Sequence, residues 1–240
     1  MLIGTNGGLG VAAPTEALFL LVGSPVGAYH AQDLSEISIE TVSSSTAVRA
    51  WPGGPGNKKV GANYAPCLVH EITARQRGYK HVLWLFGAAD HLTEVGTMNI
   101  FIVFRREDAS GYELATPRLR GTILPGITRD SVLSLAREKL QPTRWSINER
   151  DIPMEEVAAA SEKGLLAEIF GTGTAAVVTP IRSINWNHQE IRCRAANQQG
   201  AYSLASQIRG WIEARQYGED VHEWSICLDD ILRGEERVSR

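Results

Sequence analysis

The stretch RAWPGGPGNKKVGANYAP, residues 49–66, contains the clearest interruption of regular secondary structure in the chain. Two prolines and four glycines fall within the segment from Trp51 to Gly61. Proline lacks a backbone donor and glycine lacks a Cβ, so this segment can form neither a regular helix nor a central strand. It is predicted to be a shaped loop that presents two adjacent lysines, Lys58 and Lys59.

Helix and strand signals follow this loop without the strict alternation of a Rossmann domain, and no GxGxxG fingerprint is present. Helices are predicted at residues 65–76, 154–170 and 202–216, and a turn followed by a capped helix at 124–139. Strands are predicted at 17–22, 81–86 and 98–104, and a glycine-threonine turn that leads into a further strand at 172–181. The run at 17–22 is too short to span a bilayer and is predicted to be a buried strand. Residues 87–96 are predicted to be a connection that contains a turn. The mixture predicts a single α+β unit.

Two of these helices carry apolar residues at helical spacing. In the first, the apolar positions are Leu68, Val69 and Ile72. The second is preceded by a Pro-Gly turn, and Thr128 or Asp130 can cap its N-terminus. Its predicted apolar stripe consists of Val132, Leu133 and Leu135.

The composition is that of an ordinary globular protein: of 240 residues, 43% are hydrophobic and 21% are charged. The net charge is -3 and the basic residues are scattered, so neither a nucleic acid nor a membrane is a predicted partner. Cys67, Cys193 and Cys227 are odd in number and far apart, which fits neither a disulfide framework nor a zinc site and favours a reducing compartment. No metal site is predicted, because the histidines lack metal-ligand spacing.

Two glycine-containing turns are candidate anion sites. Gly126, Ile127 and Thr128 precede a predicted helix, whose free N–H groups and dipole favour a phosphate. Residues 171–175, GTGTA, offer two hydroxyls and closely spaced amides. Considered singly, each turn is better explained as a helix cap or a tight turn, and the two lysines as a solvated basic pair.

Glu94 lies between two apolar strands and allows two interpretations. It is either a solvent-facing loop carboxylate or a buried one, and a buried carboxylate needs a cation or strong donors as partners. A lysine, two anion sites and a buried acid together suggest pyridoxal phosphate. The lysine would bind the cofactor, the turns would hold its phosphate, and the acid would keep the pyridine nitrogen protonated, which makes the ring an electron sink.

In order and spacing, several blocks of this sequence resemble the branched-chain amino acid aminotransferases. The blocks are RAWPGGPGNKKVGANYAP, VLWLFG, LTEVGTMNIF, LATPRL, TILPGITRDSVL and EIFGTGTAAVVTPI. The resemblance extends from LIGTNGGLGV and PVGAYH near the start to YGEDVHEW at residues 217–224. It implies the α+β large domain of the fold-type IV, D-amino acid aminotransferase-like pyridoxal-phosphate enzymes, with a pseudo-barrel sheet flanked by helices.

The resemblance implies roles for individual residues. Lys59 corresponds to the lysine that binds pyridoxal 5'-phosphate and moves the α-proton, whereas Lys58 falls on a non-catalytic position. Tyr64 matches a tyrosine that contacts the phenolic oxygen of the cofactor. Glu94 matches the acid that faces the pyridine nitrogen, and Arg49 matches an arginine near the cofactor.

Phosphate and substrate contacts are implied in the two turns. Ile127 and Thr128 match residues whose amides hold the phosphate, with a further contribution from the Thr128 hydroxyl. Thr174 matches another phosphate contact. The turn formed by Thr174 and Ala175 matches the amides that receive the substrate carboxylate.

The implied function is ping-pong amino transfer between leucine, isoleucine or valine and 2-oxoglutarate, in a homodimer of the cytoplasm or the mitochondrion. One alternative is a chain that folds, or binds pyridoxal phosphate or a partner, without efficient turnover. Another is a different substrate, since D-amino acid aminotransferases and aminodeoxychorismate lyases share the fold.

The sequence departs from the family in two ways. Animal members can carry a CxxC pair where this chain has Ala176 and Thr179, so no thiol switch is expected. The small N-terminal domain of the family is not recognised here. Residues 1–30 are therefore expected to be a residual linker and first strand, 31–228 the cofactor-binding large domain, and 229–240 a flexible polar tail.

Overall fold

The computed structural model describes residues 1–8, 10–25, 36–193, 203–226 and 231–232. It divides the chain into two compact units, Met1–Ala31 and Gln32–Arg240. Apart from residues 231–232, the predicted flexible tail lies outside the described residues, as does Cys227. The roles predicted for the sequence-based domains stay predictions. Within the described ranges, no helix is both long enough and apolar enough to cross a membrane.

The N-terminal unit contains an antiparallel pair of short strands, β1 (Leu2–Gly4) and β2 (Ala17–Phe19). The side-chain amide oxygen of Asn6 accepts hydrogen bonds from the backbone N–H groups of Thr15 and Glu16, which holds the two arms together. The prediction of a buried strand at residues 17–22 is wrong in its length and burial. Within this unit, no third described element covers either face of the two-stranded sheet, so its apolar side chains are exposed.

The larger unit is built on a nine-stranded sheet. Its strands are β3 (Ile37–Val42), β4 (His81–Phe86), β5 (His91–Val95), β6 (Met98–Arg105), β7 (Tyr112–Pro117), β8 (Trp145–Arg150), β9 (Leu166–Gly173), β10 (Val177–Trp186) and β11 (Gln189–Arg192). The helices described in this unit include α1 (Leu68–Gln76), α2 (Ile127–Lys139), α3 (Met154–Glu162) and α4 (Leu204–Gln216).

The strand pairings close into a circuit that runs β10–β3–β4–β5–β6–β9 and returns to β10. Strand β3 is parallel to both of its neighbours, and the other pairs of the circuit are antiparallel. Strands β7 and β8 extend from β6, and β11 pairs with β10. A closed, barrel-like sheet with flanking helices confirms the predicted fold class.

The barrel-like sheet separates two hydrophobic cores, because successive side chains of a strand point to opposite faces. In β6, Ile100 and Ile102 enter the first core, whereas Phe101 and Val103 enter the second. The second core lies beneath α2 and α4, and there Phe101 stacks on Phe170 with ring centroids 5.2 Å apart. The buried stripe predicted for α2 is confirmed, since its apolar residues belong to this core.

Two helix termini differ from the predictions. The N-cap of α2 is Gly126 in an extended conformation, and neither Thr128 nor Asp130 caps the helix. The helix predicted at 154–170 ends at Glu162, close to Gly164, which has a φ of +68°. The apolar residues that follow form β9, because two strands, β6 and β10, offer backbone partners along its length.

The first helix and the connection after it were predicted with partial success. A 3₁₀ turn and α1 cover the predicted helix, but Leu68, Val69 and Ile72 are 55–66% exposed, so the predicted apolar face does not pack inward. The predicted connection at residues 87–96 contains β5 after its turn. Strand β5 is short, but it is inserted between β4 and β6 and carries Glu94 into a buried position.

Helix α4 begins close to its predicted start. The Ser203 hydroxyl accepts a hydrogen bond from the Ser206 N–H, as expected of an N-cap serine. Glu168 of β9 accepts hydrogen bonds from the backbone N–H groups of Leu204 and Ala205. A carboxylate at this end also complements the helix dipole, so α4 is anchored to the barrel at its first turn.

Candidate active site

The lysine loop, residues 51–60, packs against the segment before α2 through a close backbone approach. A Cβ at Gly56 would lie 2.6 Å from the Ala50 Cβ and 2.8 Å from the carbonyl oxygen of Gly121. Both distances are too short for any side chain, so glycine is required at this position. The approach fixes the N-terminal half of the loop immediately before the lysines.

Asn63 and Tyr64 hold the other half of the loop. The buried Asn63 side-chain amide donates hydrogen bonds of 2.7 Å to the carbonyl oxygens of Pro55 and Lys58. The Lys59 Nζ donates to the Tyr64 hydroxyl at 3.2 Å and lies 5.2 Å from the centre of its ring. In the described part of the chain, the ammonium group of Lys58 has no such partner. The two adjacent lysines therefore have different surroundings, and Lys59 is the one held against an aromatic hydroxyl.

Glu94 is buried with a cation, which decides between the two interpretations of its sequence context. Its carboxylate lies 2.5 Å from the Arg49 guanidinium and accepts a 2.7 Å hydrogen bond from the Leu124 N–H. Arg49 also donates to the carbonyl oxygen of Thr122 at 3.1 Å. Burial raises the pKa of Glu94 to about 7, against the opposing effects of Arg49, the Leu124 amide and the positive charge of Lys59.

The N-terminus of α2 forms the first predicted anion site. Gly126 precedes the helix, and Ile127 and Thr128 occupy its first positions. The N–H groups of a first helical turn have no acceptor within their own helix, so they remain available for an anion. No side chain caps this end of α2. The predicted chemistry of the turn therefore fits its geometry, although the hydroxyl of Thr128 is not the cap.

The turn between β9 and β10 forms the second predicted anion site. Thr174 and Ala175 are exposed at this turn. Arg209 of α4 donates from Nη2 to the carbonyl oxygens of Ala176 and Val178, at 3.2 Å and 2.5 Å. The turn is therefore tied to α4 through two of its carbonyl oxygens.

A buried hydroxyl without a partner adjoins these turns. Thr172 of β9 is 1% exposed, and no group in the described part of the chain forms a hydrogen bond with its Oγ1. Thr172 pairs in register with Asn99 of β6, which in turn pairs with Glu94 of β5. A hydroxyl buried without a partner is costly, so a polar ligand group at this place would be stabilised. The residues present therefore fit a phosphorylated cofactor.

The structure brings some of the predicted site residues together and leaves others apart. Four of them form two contacting pairs, Lys59 with Tyr64 and Arg49 with Glu94, and the charge of Lys59 lowers the pKa of Glu94; the two pairs together are here called the lysine cluster. Ile127 and Thr128 are linked to the cluster through Leu124. The Leu124 N–H donates to Glu94, and Leu124 lies only three residues before Ile127. Within the described residues, no hydrogen bond or ion pair joins Thr174 or Ala175 to the cluster.

Sequence reasoning missed three polar residues that shape this region. Asn99, Thr172 and Arg209 were not among the predicted site residues. Asn99 and Thr172 could have been noticed as polar residues inside apolar strands, whereas Arg209 lies on a helix far along the chain and carries no such signal. No group of three or more metal-ligating side chains occurs among the described residues.

A family model and several curated relatives match this chain. Residues 2–184 match the model of the family Amino-transferase class IV. The chain is 47% identical over 231 residues to the mitochondrial branched-chain-amino-acid aminotransferase of Saccharomyces cerevisiae, covering 96% of this chain and 58% of the relative. It is 46% identical to the cytosolic branched-chain-amino-acid aminotransferase of that yeast, covering 96% of this chain and 61% of the relative. The chain thus spans about three fifths of the length of these two relatives.

Solved structures with this fold lead to the same family. The branched-chain amino acid aminotransferase of Escherichia coli superposes with a TM-score of 0.60 at 26% identity, covering 79% of this chain and 56% of that one. The PLP-form of the enzyme from Thermobaculum terrenum superposes with a TM-score of 0.55 at 27% identity, covering 78% of this chain and 52% of that one. The region that matches the family model, residues 2–184, contains all four residues of the lysine cluster.

Proposed function

The chain belongs to the class IV aminotransferase family, and from this premise we propose that it binds pyridoxal 5'-phosphate and transfers amino groups between branched-chain amino acids and 2-oxoglutarate. The single observation that carries the proposal is the lysine cluster, in which a lysine held by a tyrosine lies in the electrostatic field of a buried, cation-paired acid. The substrate class is supported by the names of the relatives, which are branched-chain aminotransferases.

In this proposal each member of the lysine cluster has a separate task. Lys59 would bind the cofactor covalently and release it to the incoming amino acid, which frees the Lys59 amine. Its Nζ would then accept the α-proton of the amino acid and deliver it to C4′ of the cofactor. Tyr64 supports Lys59 through the 3.2 Å hydrogen bond, and its hydroxyl would contact the phenolic oxygen of the cofactor. When bound, pyridoxal phosphate supplies an electron sink that makes the α-proton removable.

Glu94 is assigned to the pyridine nitrogen. A carboxylate in this role must remain charged in a buried place, where desolvation favours its neutral form. The Arg49 guanidinium and the Leu124 amide oppose that desolvation from two directions. Arg49 therefore serves in the proposal as the permanent counter-charge that keeps Glu94 able to accept the ring N–H.

The two turns are assigned to the anionic groups. Ile127 and Thr128 bind the cofactor phosphate with the free N–H groups of the α2 N-terminus. Thr174 adds a contact to the phosphate, and the amides of Thr174 and Ala175 bind the substrate carboxylate. By holding the phosphate from two turns, these residues would orient the cofactor for its bond to Lys59.

The wider setting of the chain is also a proposal. We propose a homodimer, which the family resemblance implies, and a location in the cytosol or the mitochondrion like that of the yeast relatives. The alternative of a chain that binds cofactor without efficient turnover stays a prediction that the same experiment tests.

The test compares Lys59→Ala with Lys58→Ala, two neighbouring substitutions of the same type. The unaltered chain and Lys58→Ala are expected to show the visible absorbance of bound pyridoxal phosphate and to convert leucine in a single-turnover reaction. Lys59→Ala is expected to lose both signals. Equal spectra for the two variants would contradict the assignment of Lys59. Multiple turnover with leucine and 2-oxoglutarate supports an active enzyme, and single turnover alone supports the low-turnover alternative.

A further inference from the structure

Asn99 has an unusual position for a polar residue. It lies on β6, is 5% exposed, and its neighbours in the same strand enter the hydrophobic cores. Across the sheet it faces Glu94 on one side and Thr172 on the other. Polar residues are rarely buried in such strands unless their hydrogen bonds are satisfied, so the partners of Asn99 define its role.

The side chain of Asn99 completes a ring of hydrogen bonds. Its Nδ2 donates to the carbonyl oxygen of Leu124 at 2.9 Å and to the Glu94 Oε1 at 3.4 Å. The N–H of Leu124 donates to the same Glu94 oxygen at 2.7 Å. Both backbone groups of Leu124 are thus bound by two side chains that are adjacent across β5 and β6.

The other end of the Asn99 amide abuts the start of α2. A Cβ at Gly126 would lie 2.2 Å from the Asn99 Oδ1. The Gly126 N–H also donates to the Leu124 carbonyl at 2.8 Å, so this oxygen accepts hydrogen bonds from both Asn99 and Gly126. One planar amide therefore sets the position of the turn from Leu124 to Gly126 on both of its sides.

We propose that Asn99 is a positioning residue, which fixes the spacing between the Glu94 carboxylate and the N-terminus of α2. The proposal rests on the proposed function, in which these two groups bind the ring nitrogen and the phosphate of one rigid cofactor. Asn99 is assigned no contact with reacting atoms, because its side-chain N–H groups are bonded to Glu94 and Leu124. Its effect is to hold the two ends of the binding site at the separation that the cofactor requires.

The residue type is specific to this task. Two donors on one planar group are needed to reach a backbone carbonyl and a carboxylate, and asparagine supplies both at short reach. Leucine at this position would leave the Leu124 carbonyl without one donor. Aspartate would place a second carboxylate against Glu94, and the repulsion between two buried negative charges disfavours that arrangement.

The first experiment measures cofactor binding by the full chain after removal of bound cofactor. Asn99→Ala is compared with Asn148→Ala, because Asn148 of β8 also donates to a glutamate, Glu113, at 2.7 Å but lies on a different strand pair. Asn99→Ala is expected to weaken binding of pyridoxal 5'-phosphate about tenfold, as befits the loss of a buried hydrogen bond near a charge. Asn148→Ala is expected to change it less than about twofold.

The second measurement distinguishes positioning from general loss of structure. Binding of pyridoxal, which has no phosphate, is measured for the same variants. A misplaced α2 N-terminus removes the gain in affinity that the phosphate gives. Asn99→Ala is therefore expected to weaken the binding of pyridoxal 5'-phosphate more than the binding of pyridoxal. Equal weakening of both ligands would overturn the proposal. If Asn99→Ala fails to fold, Asn99→Ser, which retains one donor, is used for the same comparison.

A third measurement does not depend on the cofactor. Gly126→Ala is expected to destabilise the chain in urea unfolding, because its new methyl group meets the Asn99 amide. Combined with Asn99→Ala, the cost of Gly126→Ala is expected to shrink, and additive effects would contradict the contact. If the unaltered chain binds no pyridoxal 5'-phosphate, the proposed function fails. If it binds and Asn99→Ala binds equally well, the Asn99 proposal alone fails.

Discussion

The guanidinium of Arg49 lies 2.5 Å from the carboxylate of Glu94, and both side chains are 4% exposed. Two opposite charges at this depth depend on each other, because either one alone would be a buried charge without compensation. Their positions in the chain explain the arrangement: Arg49 precedes the lysine loop, and Glu94 is the penultimate residue of the short strand β5. The ion pair therefore joins the loop that carries Lys59 to the barrel-like sheet.

Removal of one partner of this pair is expected to cost more than removal of both. At pH 8, Arg49→Met is predicted to lower the free energy of unfolding by about 3 kcal/mol, because Glu94 is left buried without its cation. The double variant Arg49→Met with Glu94→Gln is predicted to recover part of that loss. Urea unfolding of the cofactor-free chain measures both values.

The matched control for this cycle is Arg192→Met. Arg192 pairs with Glu190 at 2.7 Å, but both side chains are exposed, so its loss is expected to cost less than about 1 kcal/mol. Similar losses for Arg49→Met and Arg192→Met would contradict a buried, mutually dependent pair.

The raised pKa of Glu94 gives the second prediction, a pH dependence of stability. In the folded chain the pKa is about 7, above the ordinary value of 4.5, so the folded state binds more protons than the unfolded state between these values. The free energy of unfolding of the unaltered chain is therefore predicted to fall as the pH rises from 4.5 to 7, relative to Glu94→Gln. A shift of this size corresponds to roughly 3 kcal/mol.

The measurement is a series of urea titrations across this pH range with the cofactor removed. Other groups titrate equally in both chains, so the difference between the unaltered chain and Glu94→Gln isolates this carboxyl group. A difference that is constant from pH 4.5 to 7 would rule out a raised pKa for Glu94.

The sequence predicted the elements whose pattern has only one interpretation. The strand at residues 81–86 was predicted with its observed bounds, since a β-branched and aromatic run enters the core on both faces. The apolar stripe of α2 was predicted because its apolar residues recur at helical spacing, and the same residues are buried in the structure. The family resemblance supplied the barrel-like sheet, which no local pattern could have predicted, because its closure depends on pairing between distant strands.

Errors arose where local and tertiary effects compete. The apolar residues after Gly164 fit a helix as well as a strand. They form β9 because the edges of β6 and β10 offer them backbone hydrogen-bond partners. Leu68 and its helical neighbours have the spacing of a core-facing stripe, yet they are exposed. The partner of Glu94 could not be read locally, because Arg49 is distant in sequence and reaches it only through the fold.

The close approach of Gly56 gives the third prediction. Gly56→Ala is expected to displace the lysine loop, because its Cβ would meet the Ala50 Cβ at 2.6 Å and the Gly121 carbonyl at 2.8 Å. A loss of about 1–3 kcal/mol in the free energy of unfolding is typical of such overpacking. Binding of pyridoxal 5'-phosphate is expected to weaken in parallel, since the displaced loop carries Lys59.

Gly61→Ala is the matched control, because Gly61 directly follows the lysine loop and a Cβ added there would have no atom within 4 Å outside its chain neighbours. Its free energy of unfolding and its cofactor affinity are expected to stay close to those of the unaltered chain. If Gly56→Ala behaves in the same way, the two segments are not in close contact.

The fourth prediction concerns the turn between β9 and β10, which Arg209 holds by hydrogen bonds to two of its carbonyl oxygens. Val177 has a φ of +53°, which is strained for a β-branched residue, and its neighbours Ala176 and Val178 both bind the Arg209 guanidinium. Arg209→Met is predicted to release the turn, so that amide hydrogen exchange accelerates about tenfold at residues 174–177. If the turn also binds the substrate carboxylate, the KM for leucine rises while the absorbance of bound pyridoxal phosphate is kept. Arg182→Met is the control, since Arg182 lies on β10 but is exposed, and its side chain donates to the Ser38 hydroxyl rather than to the turn. Equal exchange rates in both variants would show that Arg209 does not hold the turn.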